Sequence, residues 1–263
     1  MTPAAEKSTA AAVQLEVAIL SRPGGRERNE DACGHWHSAT HLCCVVADGA
    51  GGHGGGHVAS RLAVRHIIEA CAAQPVLSPN DVRQRLERAN EAIVDHRADS
   101  AEQAQMHTTV VGLFVDLVAG RAVWGHCGDS RLYVFRAGRL VVRTRDHSVV
   151  QSLVDAGLLD QAGMRAHPQR SELLSALGTQ GDDLLIDSVR TPWPLRANNV
   201  FLLCTDGLWE YVDDAQLERS LAEADGPHDW LAKLEAIVLE NAAHKPKHDN
   251  YSALTVWVSD AAA

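Results

Sequence analysis

Four aspartates stand beside apolar segments of the sequence, at the positions where predicted strands begin or end. They are Asp48, Asp129, Asp206 and Asp249. A single aspartate in such a place is usually a turn former or a helix cap. Four of them at strand ends can be held around one small volume, where clustered carboxylates repel one another and need positive charge between them. Mg²⁺ and Mn²⁺ bind carboxylate, carbonyl and water oxygens, so the pattern predicts a divalent-cation site.

The glycines and histidines around Asp48 allow two further interpretations. Glycine at position 49 lets the backbone approach an ion, which makes the Gly49 carbonyl a candidate ligand. His53 and His57 have the i, i+4 spacing that places two imidazoles on one helix face for zinc. His53 lies in a glycine-rich segment where a helix is not expected, and the sequence shows no third ligand, so solvated histidines are the favoured interpretation.

A charged cluster at 26–31 adds a candidate for phosphate binding. Arg26 and Arg28 carry guanidinium groups, which match two oxygens of a phosphate. A solvated charged loop is the alternative for this segment alone. The glycine-rich segment 49–57 lacks the G-x-x-x-x-G-K-[ST] pattern of a nucleotide-binding P-loop, which argues against a kinase or an ATPase.

Short apolar segments rich in β-branched residues predict the strands that position these side chains. The predicted strands are 15–20, 42–47, 109–117, 122–128, 132–135, 140–144, 184–189, 200–204 and 253–258. Apolar residues at helical spacing predict helices over 58–70, 82–93, 213–224 and 230–238. Ala137-Gly138 predicts a hairpin turn. Strands this closely spaced favour antiparallel sheets over regular βαβ alternation.

The composition is that of a soluble globular protein. The 263 residues are 46% hydrophobic and 22% charged, with a formal net charge of −10, which argues against a nucleic-acid partner. No segment has the roughly 18 consecutive apolar residues of a membrane helix, and no secretory signal begins the sequence. The six cysteines form no C-x-x-C pair. We therefore expect a reduced, cytoplasmic protein with no membrane partner.

One domain over residues 1–263 is the simplest organisation, because no Pro/Ser-rich linker interrupts the predicted elements. Within it, about 145–181 contains turn residues and two short helical segments but no predicted strand, so we expect an inserted lid or flap. The alanine-rich segment at about 1–12 predicts a frayed tail.

The order of the motifs resembles the metal-dependent protein phosphatases of the PPM (type 2C) family, particularly its compact bacterial members. The matching segments run through nearly the whole chain: Arg26, Asn29-Glu30-Asp31, Val46-Ala47-Asp48-Gly49, Thr108-Thr109, Gly128-Asp129-Ser130-Arg131, Thr144-Arg145-Asp146-His147-Ser148, Ala176-Leu177-Gly178, Thr205-Asp206-Gly207 and Asp249-Asn250. Each is weak alone, whereas the ordered set is strongly specific.

The resemblance implies an α+β fold, a four-layer αββα sandwich of two antiparallel sheets flanked by helices. It also implies two Mn²⁺ or Mg²⁺ ions and a third, weaker site. Residue by residue, the metal contacts transfer to Asp31, Asp48, Gly49, Asp129, Asp206 and Asp249. Asp48 is expected to bridge the two ions, and Asp129 to help hold the third. Glu30 is expected to orient bound water.

The activity implied is hydrolysis of phosphoserine and phosphothreonine in proteins by a metal-activated water, opposing a cognate Ser/Thr kinase. Arg26 is expected to bind the phosphoryl oxygens. The C-x-x-x-x-x-R signature of tyrosine phosphatases is missing. A catalytically silent member that serves as a binding or scaffold module is the alternative, although loss of Asp48, Asp206 or Asp249 would have been its signature.

Three positions depart from the family pattern. Ala50 stands where many eukaryotic members have a histidine, a candidate general acid that bacterial members commonly lack as well. Leu174-Ser175 stands where many bacterial members have Thr-Arg, in the lid-like segment, which bears on substrate selection. The segment 244–248 replaces the glycines that usually precede the Asp-Asn pair.

Overall fold

The computed structural model describes residues 13–51, 55–76, 78–98 and 105–261. The tail predicted at about 1–12 and His53 lie outside the described residues. The β-strands are β1 (Val13–Arg22), β2 (Ala32–His37), β3 (His41–Ala47), β4 (Gly49–Ala50), β5 (His107–Thr108), β6 (Val110–Asp116), β7 (Arg121–Cys127), β8 (Arg131–Arg136), β9 (Arg139–Arg143), β10 (Asp187–Ser188), β11 (Trp193–Pro194), β12 (Asn199–Cys204) and β13 (Tyr251–Asp260).

The α-helices follow the same order along the chain. They are α1 (Gly55–Ala73), α2 (Pro79–Ala98), α3 (Val149–Asp155), α4 (Asp206–Trp209), α5 (Asp214–Ala222) and α6 (Pro227–Asn241), with 3-10 helices at Gly163–Ala166 and Gly181–Asp183. In the part of the chain that the structure describes, no helix is long and apolar enough to cross a membrane.

Two antiparallel sheets form the centre of the molecule. The first has the order β1-β13-β12-β8-β9, and the second has the order β10-β7-β6-β3-β2, with β11 also paired to β7. A small ribbon joins β4 to β5. The described strand pairs are antiparallel, as the closely spaced apolar segments predicted.

Three apolar clusters account for the layering. One lies between the two sheets and contains Phe201, Leu254 and Leu113. A second fills the space between the second sheet and helices α1 and α2, and a third lies between the first sheet and helices α4, α5 and α6. Helices α1 and α2 cover the outer face of one sheet and helices α4, α5 and α6 that of the other, which gives four layers. The predicted αββα sandwich is confirmed.

Most of the predicted elements appear with small shifts at their ends, and one strand prediction needs correction, because the segment 184–189 forms only the short strand β10. Strand β2 and the two-residue strands β4, β5 and β11 were not predicted. The hairpin prediction is confirmed, because β8 and β9 are joined by Ala137 and Gly138 with φ of 49° and 76°. Within 145–181, all of which is described, the chain forms α3, a 3-10 helix and turns. Assignment of the whole chain to one domain stays a prediction.

The register of the strands brings the aspartates to one end of the sandwich. Ala32 at the start of β2 pairs with Ala47 at the end of β3, which places Asp31 beside Asp48. In the first sheet, Cys204 at the end of β12 pairs with Ala253 and with Arg131. The adjoining segments carry Asp206, Asp249 and Asp129, so the carboxylates of both sheets emerge at the same edge.

Candidate metal centre and active site

A cavity of about 480 Å³ opens at this end of the sandwich. Most of the candidate site residues line it: Arg26, Glu30, Asp48, Gly49, Asp129, Asp206 and Asp249. Asp31 is buried, and its charge acts on Asp48, as does the charge of Asp206, so the three carboxyls belong to one group. The structure therefore brings together the residues that the sequence singled out, although their roles stay predictions.

The backbone of Asp48 is fixed from the neighbouring strand. Its carbonyl oxygen accepts hydrogen bonds from the Thr109 N–H at 2.8 Å and from the Thr108 hydroxyl at 2.8 Å. Its own N–H donates to Thr109 Oγ1 at 3.1 Å. These bonds hold the carboxylate at the end of β3, where it points into the cavity, and they explain why two threonines precede β6.

Glycine is required at position 49 because other backbone lies against it. A Cβ atom there would lie 2.6 Å from the carbonyl oxygen of Glu30 and still closer to Gly56 at the start of α1. A Cβ atom at Gly56 would in turn lie 2.8 Å from Glu30 Oε2. Such distances are well inside van der Waals contact, so the close approach of three backbone segments around the metal centre depends on these two glycines.

Asn250 joins the N-terminal loop to the last strand. Its side-chain oxygen accepts a hydrogen bond from the Glu30 N–H at 2.8 Å, and its amide donates to the carbonyl oxygens of Pro23 and Arg28 at 2.8 and 3.0 Å. Asn250 is buried. The sequence placed this residue in a motif without giving it a role, and the structure shows that it positions Glu30 and Asp249 relative to each other.

Two carboxylate oxygens of the cluster are buried without a hydrogen-bond donor, Asp31 Oδ1 and Asp206 Oδ1. The other oxygen of Asp31 accepts a hydrogen bond from the Thr205 hydroxyl at 3.0 Å. Burial, followed by the neighbouring carboxylates, raises the pKa of Asp31 and of Asp206 to about 7. Buried acceptors without donors are costly, and a hard cation would satisfy both oxygens and the surplus negative charge.

Burial and the neighbouring acids also raise the pKa of Asp48 and of Asp129 well above the usual range. For Asp48 the neighbouring acids are Asp31, Asp206 and Asp129, in that order. These carboxyls therefore favour protons when no other cation is present. The donor set is oxygen-rich and carries excess negative charge, so it fits Mg²⁺ or Mn²⁺ better than a softer ion.

Arg26 pairs with a carboxylate of the same cavity. Its Nη2 atom donates to Asp249 Oδ2 at 2.8 Å, and both side chains are about half exposed. This contact places a positive charge beside one predicted metal ligand and draws that carboxylate toward the rim. Arg26 lies where it was predicted to meet a phosphate, and its hydrogen bond to Asp249 uses one of the five N–H donors of its guanidinium.

Three contacts hold the loop that carries Asp129. Trp209 Nε1 donates to the Asp129 carbonyl oxygen at 2.9 Å. Arg131 donates to both carboxylate oxygens of Asp146 at 2.8 and 2.7 Å, and its guanidinium stacks 3.5 Å above the Trp209 ring. The ion pair is almost completely buried, so its geometry fixes the loop more than an exposed pair would.

His147 holds the residue before Asp129 by two hydrogen bonds. Its N–H donates to the Gly128 carbonyl oxygen at 3.0 Å, and its Nδ1 atom accepts the Gly128 N–H at 3.3 Å. Because Nδ1 accepts, Nε2 carries the proton and donates to Asp187 Oδ2 at 3.3 Å. Gly128 has a φ of 96°, which favours glycine at this point.

Distances alone would suggest a different metal site. Among the described residues, ligand atoms of at least three His, Cys, Asp or Glu side chains lie within 4.8 Å of one another only at His126, His147 and Asp187. The two rings there stack at 19° with centroids 4.7 Å apart, so their lone pairs do not converge on one ion.

Two antiparallel sheets between helices, with buried carboxylates meeting at one end and an arginine at the rim, are typical of metal-dependent phosphatases. The sequence profile of protein phosphatase 2C matches residues 24–244 of the chain. The chain belongs to this family, and the prediction of a bacterial PPM-type Ser/Thr phosphatase is confirmed.

Two relatives and one solved structure illustrate the similarity. Serine/threonine phosphatase stp of Listeria welshimeri is 31% identical over 210 residues, which cover 75% of this chain and 81% of that protein. Protein phosphatase PhpP of Streptococcus pneumoniae is 30% identical over 219 residues, with coverage of 81% and 86%. The catalytic domain of PstP in complex with two manganese ions has a TM-score of 0.78 at 25% identity, with coverage of 94% and 100%.

These comparisons support a metal-dependent enzyme of the protein phosphatase class. The manganese ions belong to the PstP structure, and the choice of ion and the third site in this chain stay predictions. Zinc at His53 and His57 stays untested, because His53 lies outside the described residues. Ala50 lines the cavity, and no histidine lines it among the residues that the structure describes.

Proposed function

We propose that this protein hydrolyses phosphoserine and phosphothreonine esters in proteins, with two Mn²⁺ or Mg²⁺ ions in the acidic cavity. The observation that carries the proposal is the pair of buried acceptors without donors, Asp31 Oδ1 and Asp206 Oδ1, within a group of carboxyls whose pKa values are raised. A cluster of this kind is costly without a cation. Membership of the family supplies the class of reaction.

The residues that would hold the ions are Asp31, Asp48, Asp206 and Asp249, together with the Gly49 carbonyl. Asp129 would contribute to a third, weaker site. When bound, the ions supply Lewis-acid activation that lowers the pKa of a coordinated water toward neutrality. Glu30, which lines the cavity and whose backbone is held by Asn250, would orient bound water.

Arg26 would bind the non-bridging phosphoryl oxygens and stabilise the charge on them. It now donates to Asp249, and this contact would weaken once the charge of Asp249 is shared with a cation.

The physiological setting follows from the reaction class. Phosphoprotein substrates must be made by a Ser/Thr kinase, so we propose a cognate kinase as the opposing activity, with both acting in the cytoplasm. No nucleic-acid or membrane partner is invoked, in keeping with the net charge of −10.

Turnover of a chromogenic aryl phosphate and of a phosphothreonine peptide tests the proposal. We expect hydrolysis with Mn²⁺ that stops in excess chelator and that is lost in Asp206→Asn. The matched control is Asp182→Asn, which removes an exposed carboxylate outside the cavity and should behave as wild type. Turnover that persists in chelator, or in Asp206→Asn, would refute the metal-dependent mechanism. A folded, metal-binding protein without turnover would favour the binding-module alternative.

A further inference from the structure

A second cavity, of about 500 Å³, adjoins the acidic cavity. The two share part of their wall, namely Ala50, Gly51, Ser171 and Leu173. We call the second one the side cavity. Because the walls are continuous, a molecule whose phosphate occupies the acidic cavity can extend directly into the side cavity.

The side cavity differs sharply in chemistry from its neighbour. Its remaining lining residues are Gln105, His107, Leu174, Ser175, Ala176 and Thr179. Within the described part of the chain, no Asp, Glu, Lys or Arg side chain lines it. Burial, followed by the charge of Arg97, lowers the pKa of His107, so this imidazole is neutral at physiological pH. A charged group placed here would lose hydration without gaining a partner.

The wall of the side cavity is fixed before any ligand arrives. The Leu174 N–H donates to the His147 carbonyl oxygen at 2.8 Å, and Leu177 exchanges two backbone hydrogen bonds with Thr108 at 3.0 and 2.8 Å. Asn90 accepts the Gly178 N–H at 2.7 Å and donates to the Thr179 carbonyl oxygen at 3.0 Å. A wall held in this way adds little ordering cost when a side chain binds.

Leu174 offers apolar surface at the mouth of the cavity. It is one of the exposed large hydrophobic residues, with 49% of its surface accessible. The pair Leu174-Ser175 is also a position where this sequence departs from the Thr-Arg of many bacterial relatives. Ser175 is buried and accepts the Leu185 N–H at 2.8 Å, so the change leaves space and removes charge.

We propose that the side cavity is a specificity subsite that binds an apolar side chain of the substrate, one to three residues from the phosphorylated residue. The proposal rests on the proposed function and adds a substrate preference to it. An extended peptide advances about 3.3 Å per residue, so a neighbouring side chain reaches across the shared wall. Leucine or a residue of similar size is the expected occupant, and acidic residues are disfavoured.

Phosphothreonine peptides that carry Leu, Ala or Asp at each position from three residues before to three after the phosphothreonine test the proposal. With Mn²⁺, we expect kcat/KM to be about 10-fold higher for Leu than for Ala at one of these positions, the lower end of what an apolar pocket discriminates. Asp at the same position should give the lowest value. If no position distinguishes Leu from Ala, the subsite is refuted.

Leu174→Asp then locates the effect. For each enzyme variant we compare kcat/KM for the Leu peptide with kcat/KM for the Ala peptide, so that a loss of activity common to both substrates does not affect the ratio. In Leu174→Asp we expect this ratio to fall to about 1. Leu239→Asp is the matched control, since Leu239 is 51% exposed on α6, and it should keep the wild-type ratio. A ratio unchanged in Leu174→Asp refutes the assignment. If wild type fails to hydrolyse an aryl phosphate with Mn²⁺, the proposed function fails instead.

Discussion

Replacing Asp206 by asparagine should abolish turnover and yet stabilise the metal-free protein. Burial of the Asp206 carboxyl, followed by the charges of Glu210 and Asp249, raises its pKa from 3.8 to about 7. A raised carboxyl pKa means that the folded state holds the proton more tightly than the unfolded state does. The resulting penalty grows as pH rises from about 4 to about 7 and is fully present above pH 7.

The size of this effect follows from the pKa. A rise from 3.8 to about 7 corresponds to roughly 4 kcal/mol at pH 8. Since neighbouring carboxyls share that penalty, we expect Asp206→Asn to gain about 1–4 kcal/mol. Asp206 is also the first residue of α4, and losing a negative charge there costs about 0.3–1 kcal/mol. At pH 8 the stabilisation from removing the buried charge therefore exceeds the cost at the start of α4, whereas near pH 4.5 this stabilisation is largely absent.

Thermal unfolding in chelator at both pH values measures the difference. For a protein of this size, about 1–4 kcal/mol corresponds to a Tm increase of about 2–7 °C. With saturating Mn²⁺ the order should reverse, because only wild type gains the full binding free energy. Asp182→Asn, exposed and outside the cavity, should show neither effect. An Asp206→Asn protein less stable than wild type at pH 8 in chelator would refute the view that the carboxylates are held together at a cost.

Two further predictions concern the rim of the acidic cavity. Arg26→Ala should lower kcat/KM about 10- to 100-fold by loss of charged hydrogen bonds to phosphate, while the Mn²⁺ affinity measured by calorimetry changes little. Loss of Mn²⁺ binding would contradict this prediction. The control is Arg22→Ala, which removes another exposed arginine that forms an ion pair. Asn250→Ala removes three hydrogen bonds of a buried side chain and should lower the free energy of unfolding, measured in urea, by about 2–3 kcal/mol. The control Asn241→Ala removes one exposed hydrogen bond and should lower the free energy of unfolding by less than about 1 kcal/mol. Equal losses in the two variants would contradict this prediction.

The sequence predicted the buried strands well because their apolar residues adjoin one another, as in β3 and β12. It missed β2, whose residues are Ala, Cys, Gly, His, Trp and His. This strand lies at an edge of its sheet and pairs only with β3. Its side chains are half-buried or exposed, so no apolar pattern selected it. The segment 184–189 was predicted as a strand from its apolar residues, but these residues cover the edge of the sheet. Only Asp187 and Ser188 pair as a strand.

The candidate site was likewise predicted in part. Asp48, Asp206 and Asp249 were found because each adjoins a strand whose end must lie at the edge of a sheet. The ion pair between Arg26 and Asp249 joins residues 223 positions apart, and the local sequence around either residue does not indicate it. The support from Trp209 was missed for the same reason, since a tryptophan in an apolar segment is usually core.

Strand β13 lies between β1 and β12, and the register pairs Val13 with Asp260. A nascent chain that has emerged from the ribosome only as far as residue 248 already carries every other acidic side chain of the cavity. It still lacks the strand that unites β1 with β12, and with it the asparagine that anchors Glu30. Assembly of the acidic cavity therefore waits for synthesis of β13 and the two residues before it, because a chain made only as far as residue 248 cannot complete the first sheet.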